Sequence, residues 1–502
     1  MDRADKGVGF LWLRAVCSRQ LGAGPWTIRL DAVSNGVLWR GKSGQLRKII
    51  GANWDKFRHW TQQQGQQVRS AVVFHVAAML ACRTPKLGAH LFLCHGCGQV
   101  MVVPHSCKSV ACSSCGKART DAWCNELLSD LLDVPYRHLV FTIPWQLRLL
   151  LKDNRDVGLN FLFRAAGDAL LSLTLGTPRP LGRKSQKWLA GITKRRRKPR
   201  GKRRAKRRPR GRKRRPFRPG FLSVLHTYGS DLKWNPHLHV IVTGGGLSLD
   251  GTKWVAGPKR YLVPAPLLGT EWKLRVIRGV SKAHSKNPLY CRRLKCDRRR
   301  RLNVPKLLGY IRRMRWHILI GPSLRSADQA VRYAARYTKR PVIAEGRIIK
   351  ATDEYVVYRF KDYHRGGKPA VKKLPILVFL DRLFQHFPER HFRQVRHYGL
   401  FSTRTRTSLL KTARQVLAQR KKRRPAPQTW ERRRKAAGDK KPLSCPQCGT
   451  QMTLWKHLFG CPQSIAALCG VRPDEQFPPK TTLPSPKVLF WEAEQRIALI
   501  DV

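Results

Sequence analysis

The chain has 502 residues, with 101 Lys and Arg against 29 Asp and Glu, a formal charge of +72. Its 42% apolar content supports folded cores and excludes a disordered tail protein, which lacks the side chains to offset its ordering entropy. So large a charge repels itself without a polyanion beside it, and nucleic acid is the expected partner.

In chain order, Leu46–Trp60 and Gln67–Cys82 mix apolar and polar residues at helical spacing, within a helical region expected over residues 1–86. The short Gly9–Val16 patch is broken by Arg14 and lacks a signal-peptide cleavage site, and no run approaches the roughly 18 apolar residues of a bilayer span. From His90 to Gly116 apolar residues are too sparse for a core, so a loop-rich module stapled by its cysteines is expected over residues 87–132. Ala118–Leu132 resumes as a helix. Tyr136–Ile143 is β-branched and aromatic, and Pro144 closes it as a strand. Phe161–Leu173 predicts a helix with Leu162, Ala165, Ala166, Ala169 and Leu173 along one side.

Lys194–Arg218 follows: 25 residues, 18 of them Lys or Arg and none acidic, expected to be disordered until it meets a polyanion. Without it the chain keeps 83 basic residues against 29 acidic, so the rest is basic as well. Phe221–His226 and His237–Thr243 predict two strands of a hairpin, ended by Gly244–Gly246. Cys291–Arg301 is a basic loop, Trp316–Ile320 a strand, and Ala327–Lys339 a helix capped by Ser326. Ile343–Phe360 suggests two short strands and Pro375–Gln385 a helix; residues 403–442 form a basic linker to a C-terminal cysteine group and tail, 443–502.

The cysteines are clustered, in a chain without an export signal, which points to thiolate–metal sites rather than a disulfide framework. Cys94-x2-Cys97 and Cys112-x2-Cys115 are two knuckles whose four thiolates can meet on one tetrahedral Zn²⁺, while His90, His105 and Cys107 are surplus and either supply ligands for a second ion or lie idle. Such a closed site is structural. Cys445-x2-Cys448-x8-His457-x3-Cys461 forms a candidate second zinc knuckle. Cys17, Cys82, Cys124 and Cys469 have no such spacing and are expected to be packing residues.

His237-Leu238-His239 places two imidazoles on one face of a strand, where they could hold a divalent cation with positions left open for phosphate oxygens. His226, on the preceding strand, is a third candidate ligand. For an isolated His-x-His a hydrogen-bonded or solvated pair is the favoured reading. Tyr333 and Tyr337 stand at i and i+4 of the predicted helix, so their phenols share a face and could act in turn as nucleophiles on phosphodiesters. An aromatic core stripe is the alternative, but Arg332, Arg336, Lys339 and Arg340 suit phosphate better than a core. There is no phosphate-binding glycine loop and no dinucleotide fingerprint.

Together these residues resemble the rolling-circle, two-tyrosine transposases of the insertion-sequence ninety-one type, which carry an HUH nuclease core; the resemblance runs over roughly residues 46–405. It rests on His90, Cys94-x2-Cys97-Gly98, Ser106-Cys107 and Cys112-x2-Cys115; on Tyr136-Arg137-His138-Leu139-Val140-Phe141-Thr142-Ile143-Pro144; and on Leu225-His226-Thr227-Tyr228-Gly229-Ser230. Asn235-Pro236-His237-Leu238-His239 with the glycine triplet, Tyr333-Ala334-Ala335-Arg336-Tyr337-Thr338-Lys339-Arg340 and Arg396-His397-Tyr398-Gly399 complete it. The enlarged basic insertion, the Cys291–Arg301 loop and the C-terminal segment depart from the pattern.

The resemblance implies an α+β fold: an HUH-type antiparallel sheet flanked by helices, its His-x-His strand central, forming a catalytic domain over residues 133–402 behind an N-terminal zinc-binding domain. It implies Mg²⁺ or Mn²⁺ on His237, His239 and His226, structural Zn²⁺, and attack by Tyr333 or Tyr337 that leaves a 5′-phosphotyrosine and a free 3′-OH. Arg332, Arg336, Lys339 and Arg340 would grip the DNA. The implied partners are single- and double-stranded DNA at transposon ends and targets, and a host helicase. The implied setting is the bacterial cytoplasm, on the nucleoid and off membranes. A replication initiator or relaxase shares the nicking chemistry but fits the five-cysteine module less well. A non-catalytic zinc protein on nucleic acid leaves the histidines and tyrosines as coincidence.

Overall fold

Apolar residues three and four apart make one face of a helix, and the first two helices follow that rule. The computed structural model describes residues 37–39, 44–84, 87–176, 215–258, 262–291, 303–335, 341–423, 429–436 and 438–459. Gln45–Gln63 (α1) buries Leu46, Ile49, Ile50 and Phe57, and Ser70–Ala81 (α2) packs Val72, Val76 and Met79 into the same core. Beyond them the expected loop is a hairpin. Gly88–Leu93 (β1) and Val100–Pro104 (β2) pair antiparallel, with Ala89, Leu91, Val100 and Val102 forming a small core of their own. The expectation failed because both strands are short and their outer neighbours, Val37–Trp39 beside β2 and Thr453–Phe459 beside β1, come from elsewhere in the chain.

Gly116–Asp130 (α3) leads into the main sheet. Its strands are Tyr136–Thr142 (β3), Gly220–Tyr228 (β4) and Trp234–Thr243 (β5), then Ile318–Leu324 (β6) and Val395–Gly399 (β7). All pairs are antiparallel, in the order β6-β3-β5-β4-β7, so the His-x-His strand lies at the centre. Side chains alternate along a strand, and parity separates the two faces. Phe141, Leu225, Leu238, Val240 and Val242 enter a core closed by Arg155–Thr174 (α4) and Ala265–Lys286 (α5). Tyr136, Leu222, Val224 and Ile241 face the opposite way, under α3, Ala327–Ala335 (α6) and Arg406–Val416 (α7). His138, His226, His237 and His239 share the parity of this second set, so the fold gathers all four beneath the tyrosine helix.

Two further expectations change. Residues 403–442 are not a plain linker: α7 buries Leu410 and Ala413 beside the sheet, and Arg406 pairs with Asp130 at 2.7 Å. Trp430–Ala436 is also helical. The described part of the expected C-terminal knuckle is not a separate unit, since Thr453–Phe459 extends the β1–β2 sheet. The two short strands expected over Ile343–Phe360 are present as Ile348–Ala351 and Tyr355–Asp362, and a third, Lys368–Pro375, follows them in a sheet packed with α1 and the helix Ile376–Phe384. The third was hidden by its lysines and prolines. The basic run expected to be disordered lies outside the described residues up to residue 214, but its end is ordered, Phe217–Arg218 pairing as a strand with Phe217 buried; the basic loop from residue 292 and everything from residue 460 also lie outside the described residues. Among the described residues no helix is long and apolar enough to cross a membrane.

Candidate active site and metal centres

The β3, β4 and β5 registers set the histidines side by side. His226 stands opposite His237, Val224 and Val140 flank His239, and His138 lies opposite Ile241, one diagonal step from His239. The side-chain nitrogens of His226, His237 and His239 fall within 4.8 Å of one another, and the Nε2 atoms of His237 and His239 are 3.1 Å apart. His237 donates its Nδ1–H to the Asn235 carbonyl at 2.7 Å, which leaves its Nε2 lone pair facing the cluster. Burial lowers His237 and His239 below the ordinary imidazole range, and neighbouring histidines lower His239 further. Three imidazoles converging on one point form a donor set that fits a divalent cation.

Tyr333 reaches this cluster from α6. Ser326 caps the helix by accepting the Gln329 N–H at 3.3 Å, and Ala327, Ala330, Val331 and Ala334 anchor one side in the core. The half-buried Tyr333 thus lies over the sheet, its hydroxyl 3.1 Å from His138 Nδ1. The other ring nitrogen of His138 is 2.9 Å from His239 Nδ1. Burial pushes His138 down to about 4, with the neighbouring His237 adding to the shift. Arg332, on the exposed side of α6, pairs with Asp328 at 2.6 Å. Tyr337, Arg336, Lys339 and Arg340 lie outside the described residues.

The cysteines group differently from the sequence-based expectation. Cys94 and Cys97 do not meet Cys112 and Cys115; the structure builds two four-sulfur sets. One joins Cys82 at the end of α2 with Cys107, Cys112 and Cys115, with sulfurs 3.4 Å apart for Cys82–Cys115 and 3.7 Å for Cys107–Cys115 and Cys82–Cys112. Four thiolates about 2.3 Å from a tetrahedral zinc ion require such sulfur spacings. Hydrogen bonding from Cys112 and Cys115 pushes the Cys107 thiol far up, while bonds from Cys107 and Cys112 hold Cys115 well down. Cys82, expected to be a packing residue, joins this four-sulfur set; a cysteine at a helix end outside any CxxC step carries no spacing signal.

The other set unites Cys94 and Cys97 with Cys445 and Cys448, at 3.4 Å for Cys94–Cys448 and 3.5 Å for Cys97–Cys445. The expected Cys445, Cys448, His457, Cys461 knuckle is thereby replaced. His457 lies instead on the strand opposite His90, the two rings 4.3 Å apart, with His105 4.5 Å from His90 on its other side. His90 is thus drawn away from the thiolates it was expected to join. Cys461 is outside the described residues.

Comparison with known proteins adds an independent line. Residues 220–408 match a family model described as "Putative transposase", and residues 49–143 match one described as "Transposase zinc-binding domain". The chain is 28% identical over 455 residues to "Transposase for insertion sequence element IS801" of Pseudomonas savastanoi pv. phaseolicola, covering 85% of this chain and 95% of that protein. It is 28% identical over 343 residues to "Putative transposase y4qJ" of Sinorhizobium fredii, covering 68% of this chain and 77% of that protein. No solved structure matches. The zinc-binding match spans the Cys82 set and both sulfurs of the first knuckle, and the transposase match spans the three-histidine cluster and Tyr333. Both family models and both relatives thus support a transposase of the insertion-sequence ninety-one family, an enzyme that acts on DNA.

Proposed function

We propose that this transposase is an HUH-type, two-tyrosine enzyme that moves DNA by rolling-circle transfer of a single strand. The observation that carries the reading is the Tyr333 hydroxyl, one imidazole away from three converging histidines on the central strands. His226, His237 and His239 would hold a divalent cation, which would supply Lewis-acid polarisation of the scissile phosphate. An all-imidazole set suits Mn²⁺ better than Mg²⁺, which prefers oxygen ligands. Tyr333 Oη then forms a bond to phosphorus as the P–O3′ bond breaks, giving a 5′-phosphotyrosine and a free 3′-OH. The ester conserves bond energy, so rejoining needs no nucleotide. Tyr337, four residues on, takes the second cleavage. Arg332, Arg336, Lys339 and Arg340 hold flanking phosphates; the exposed Arg332–Asp328 pair is weak enough to exchange for one.

In this reading residues 133–402, with α7 packed on them, are the catalytic domain. The two cysteine sets are structural zinc centres that brace the N-terminal module. Duplex and single-stranded DNA at the element's ends and target are its substrates, a host helicase opens the duplex, and the charge keeps the enzyme on the nucleoid. The test is incubation with single-stranded DNA carrying candidate end sequences and Mn²⁺. A covalent protein–DNA adduct is expected, abolished in the Tyr333→Phe/Tyr337→Phe double variant. An adduct that persists in that variant, or none while Mn²⁺ binds the histidine cluster, overturns the reading.

A further inference from the structure

His138 has no part in the chemistry above, yet it is the link between the histidine cluster and the tyrosine. It is 2% exposed in the middle of β3. Its ring stacks on His239, with centroids 5.2 Å apart and planes 10° from parallel, and lies 4.7 Å from the Tyr333 ring. Nε2 is 2.9 Å from His239 Nδ1, and Nδ1 is 3.1 Å from the Tyr333 hydroxyl. Gly321 on the neighbouring β6 leaves room for this orientation, since a Cβ there would fall 2.7 Å from His138 Nδ1.

A neutral imidazole carries one N–H and one lone pair, so a chain of hydrogen bonds running through it has a direction. His239 turns Nε2 to the cluster and Nδ1 to His138. With the Nε2 lone pair on a cation, the His239 proton resides on Nδ1 and is donated to His138 Nε2. His138 must then keep its own proton on Nδ1, where Tyr333 Oη is the acceptor. With the cluster empty the opposite direction is also open, and the phenol can spend its proton on His138.

We propose that His138 is a positioning residue that relays cation binding to the nucleophile: once His226, His237 and His239 are loaded, it donates to Tyr333 Oη and turns the phenol proton away. The proposal rests on reading those three histidines as the cation site. During transfer the Oη–P bond forms, the P–O3′ bond breaks and the phenol proton ends on the departing 3′ oxygen, so His138 gains and loses no proton. A general base would instead receive the phenol proton at Nδ1.

The test uses the full chain with its cysteine sites already zinc-loaded, selectively ¹⁵N-labelled at histidine, and further Zn²⁺ as a diamagnetic probe. Long-range ¹H–¹⁵N spectra are expected to move His138 to the Nδ1–H tautomer as the signals of His226, His237 and His239 shift. Two variants accompany it. In His138→Gln the amide oxygen can accept from His239 and the amide nitrogen can donate to Tyr333, so adduct formation stays within about tenfold of wild type. His138→Leu fills the space without either bond and loses about 100-fold, with weaker Zn²⁺ binding as His239 loses its partner. Zn²⁺ binding that leaves His138 in the Nε2–H form, or a Leu variant as active as the Gln variant, overturns the relay alone. If Zn²⁺ shifts none of the three cluster histidines, the site reading fails and the relay falls with it.

Discussion

His386 illustrates what burial does to an imidazole that nature keeps neutral. It donates Nε2–H to the Leu232 carbonyl at 3.0 Å, accepts from the Thr227 hydroxyl at 3.1 Å, and stacks on Trp234 with planes 8° apart. Burial pushes it down to about 3, with the Arg155 charge adding to the shift and the Leu232 hydrogen bond opposing it. The folded chain therefore refuses a proton that the unfolded chain takes near pH 6.5. The stabilisation is fully present above pH 6.5 and drains as pH falls from 6.5 toward 3, with a limiting slope of about 1.36 kcal/mol per pH unit. His386→Gln should flatten the acid limb of the stability curve, measured by denaturant midpoints between pH 7.5 and 4.5. His138 and His239, also lowered, keep part of the slope in the variant. Equal slopes in variant and wild type would sink the argument. Three of the four histidines around the cluster were legible in the sequence because strand parity is a local rule. The role of His138 was not: it depends on a diagonal across two strands whose register no single segment encodes.

At the scale of elements, two cysteine turns a long way apart are built alike. Cys94 and Cys445 each donate their backbone N–H five residues on, to Gln99 and Thr450. Gly98 and Gly449 each close the turn with a bond back to the first cysteine, at φ of 72° and 75°, where a side chain would be strained. Each knuckle alone presents two thiolates and cannot close a zinc site. Sheet pairing between Thr453–Phe459 and β1 supplies the other half, from 348 positions away for Cys97 and Cys445. The knuckles were legible in the sequence; their partners were not, because spacing ranks near neighbours first and the sheet does not. Cys445→Ser/Cys448→Ser should remove one zinc per chain and expose Cys94 and Cys97 to a thiol reagent, while Cys82, Cys107, Cys112 and Cys115 stay protected. Metal analysis with mass-spectrometric mapping of alkylation reads both. Continued protection of Cys94 and Cys97 would restore the grouping expected from sequence.

For the whole molecule the question is which cations do what. The described framework spends few of its basic residues on ion pairs: Arg275–Glu271 is buried at 2.9 Å, while Arg332–Asp328 and Lys435–Glu431 lie at the surface. The excess faces solvent, where it releases counterions on meeting DNA, and each phosphate contact steepens the salt dependence of log K by about 0.9. Residues 194–214 hold 16 Lys and Arg and no acid, between a helix ending at Thr174 and the strand Phe217–Arg218. A run of like charge with no acid suits sequence-independent phosphate contact, so the expected contribution is grip rather than chemistry. Deleting residues 194–214 should weaken duplex binding equally on any sequence and make the slope of log K against log salt shallower by several units. Adduct formed per bound complex, measured on saturating single-stranded DNA, should stay near wild type. A slope that does not change would assign the grip to the folded surface. A loss confined to one sequence would instead make the run a reader of DNA, because phosphate contacts position a protein on the duplex and base contacts discriminate among sequences.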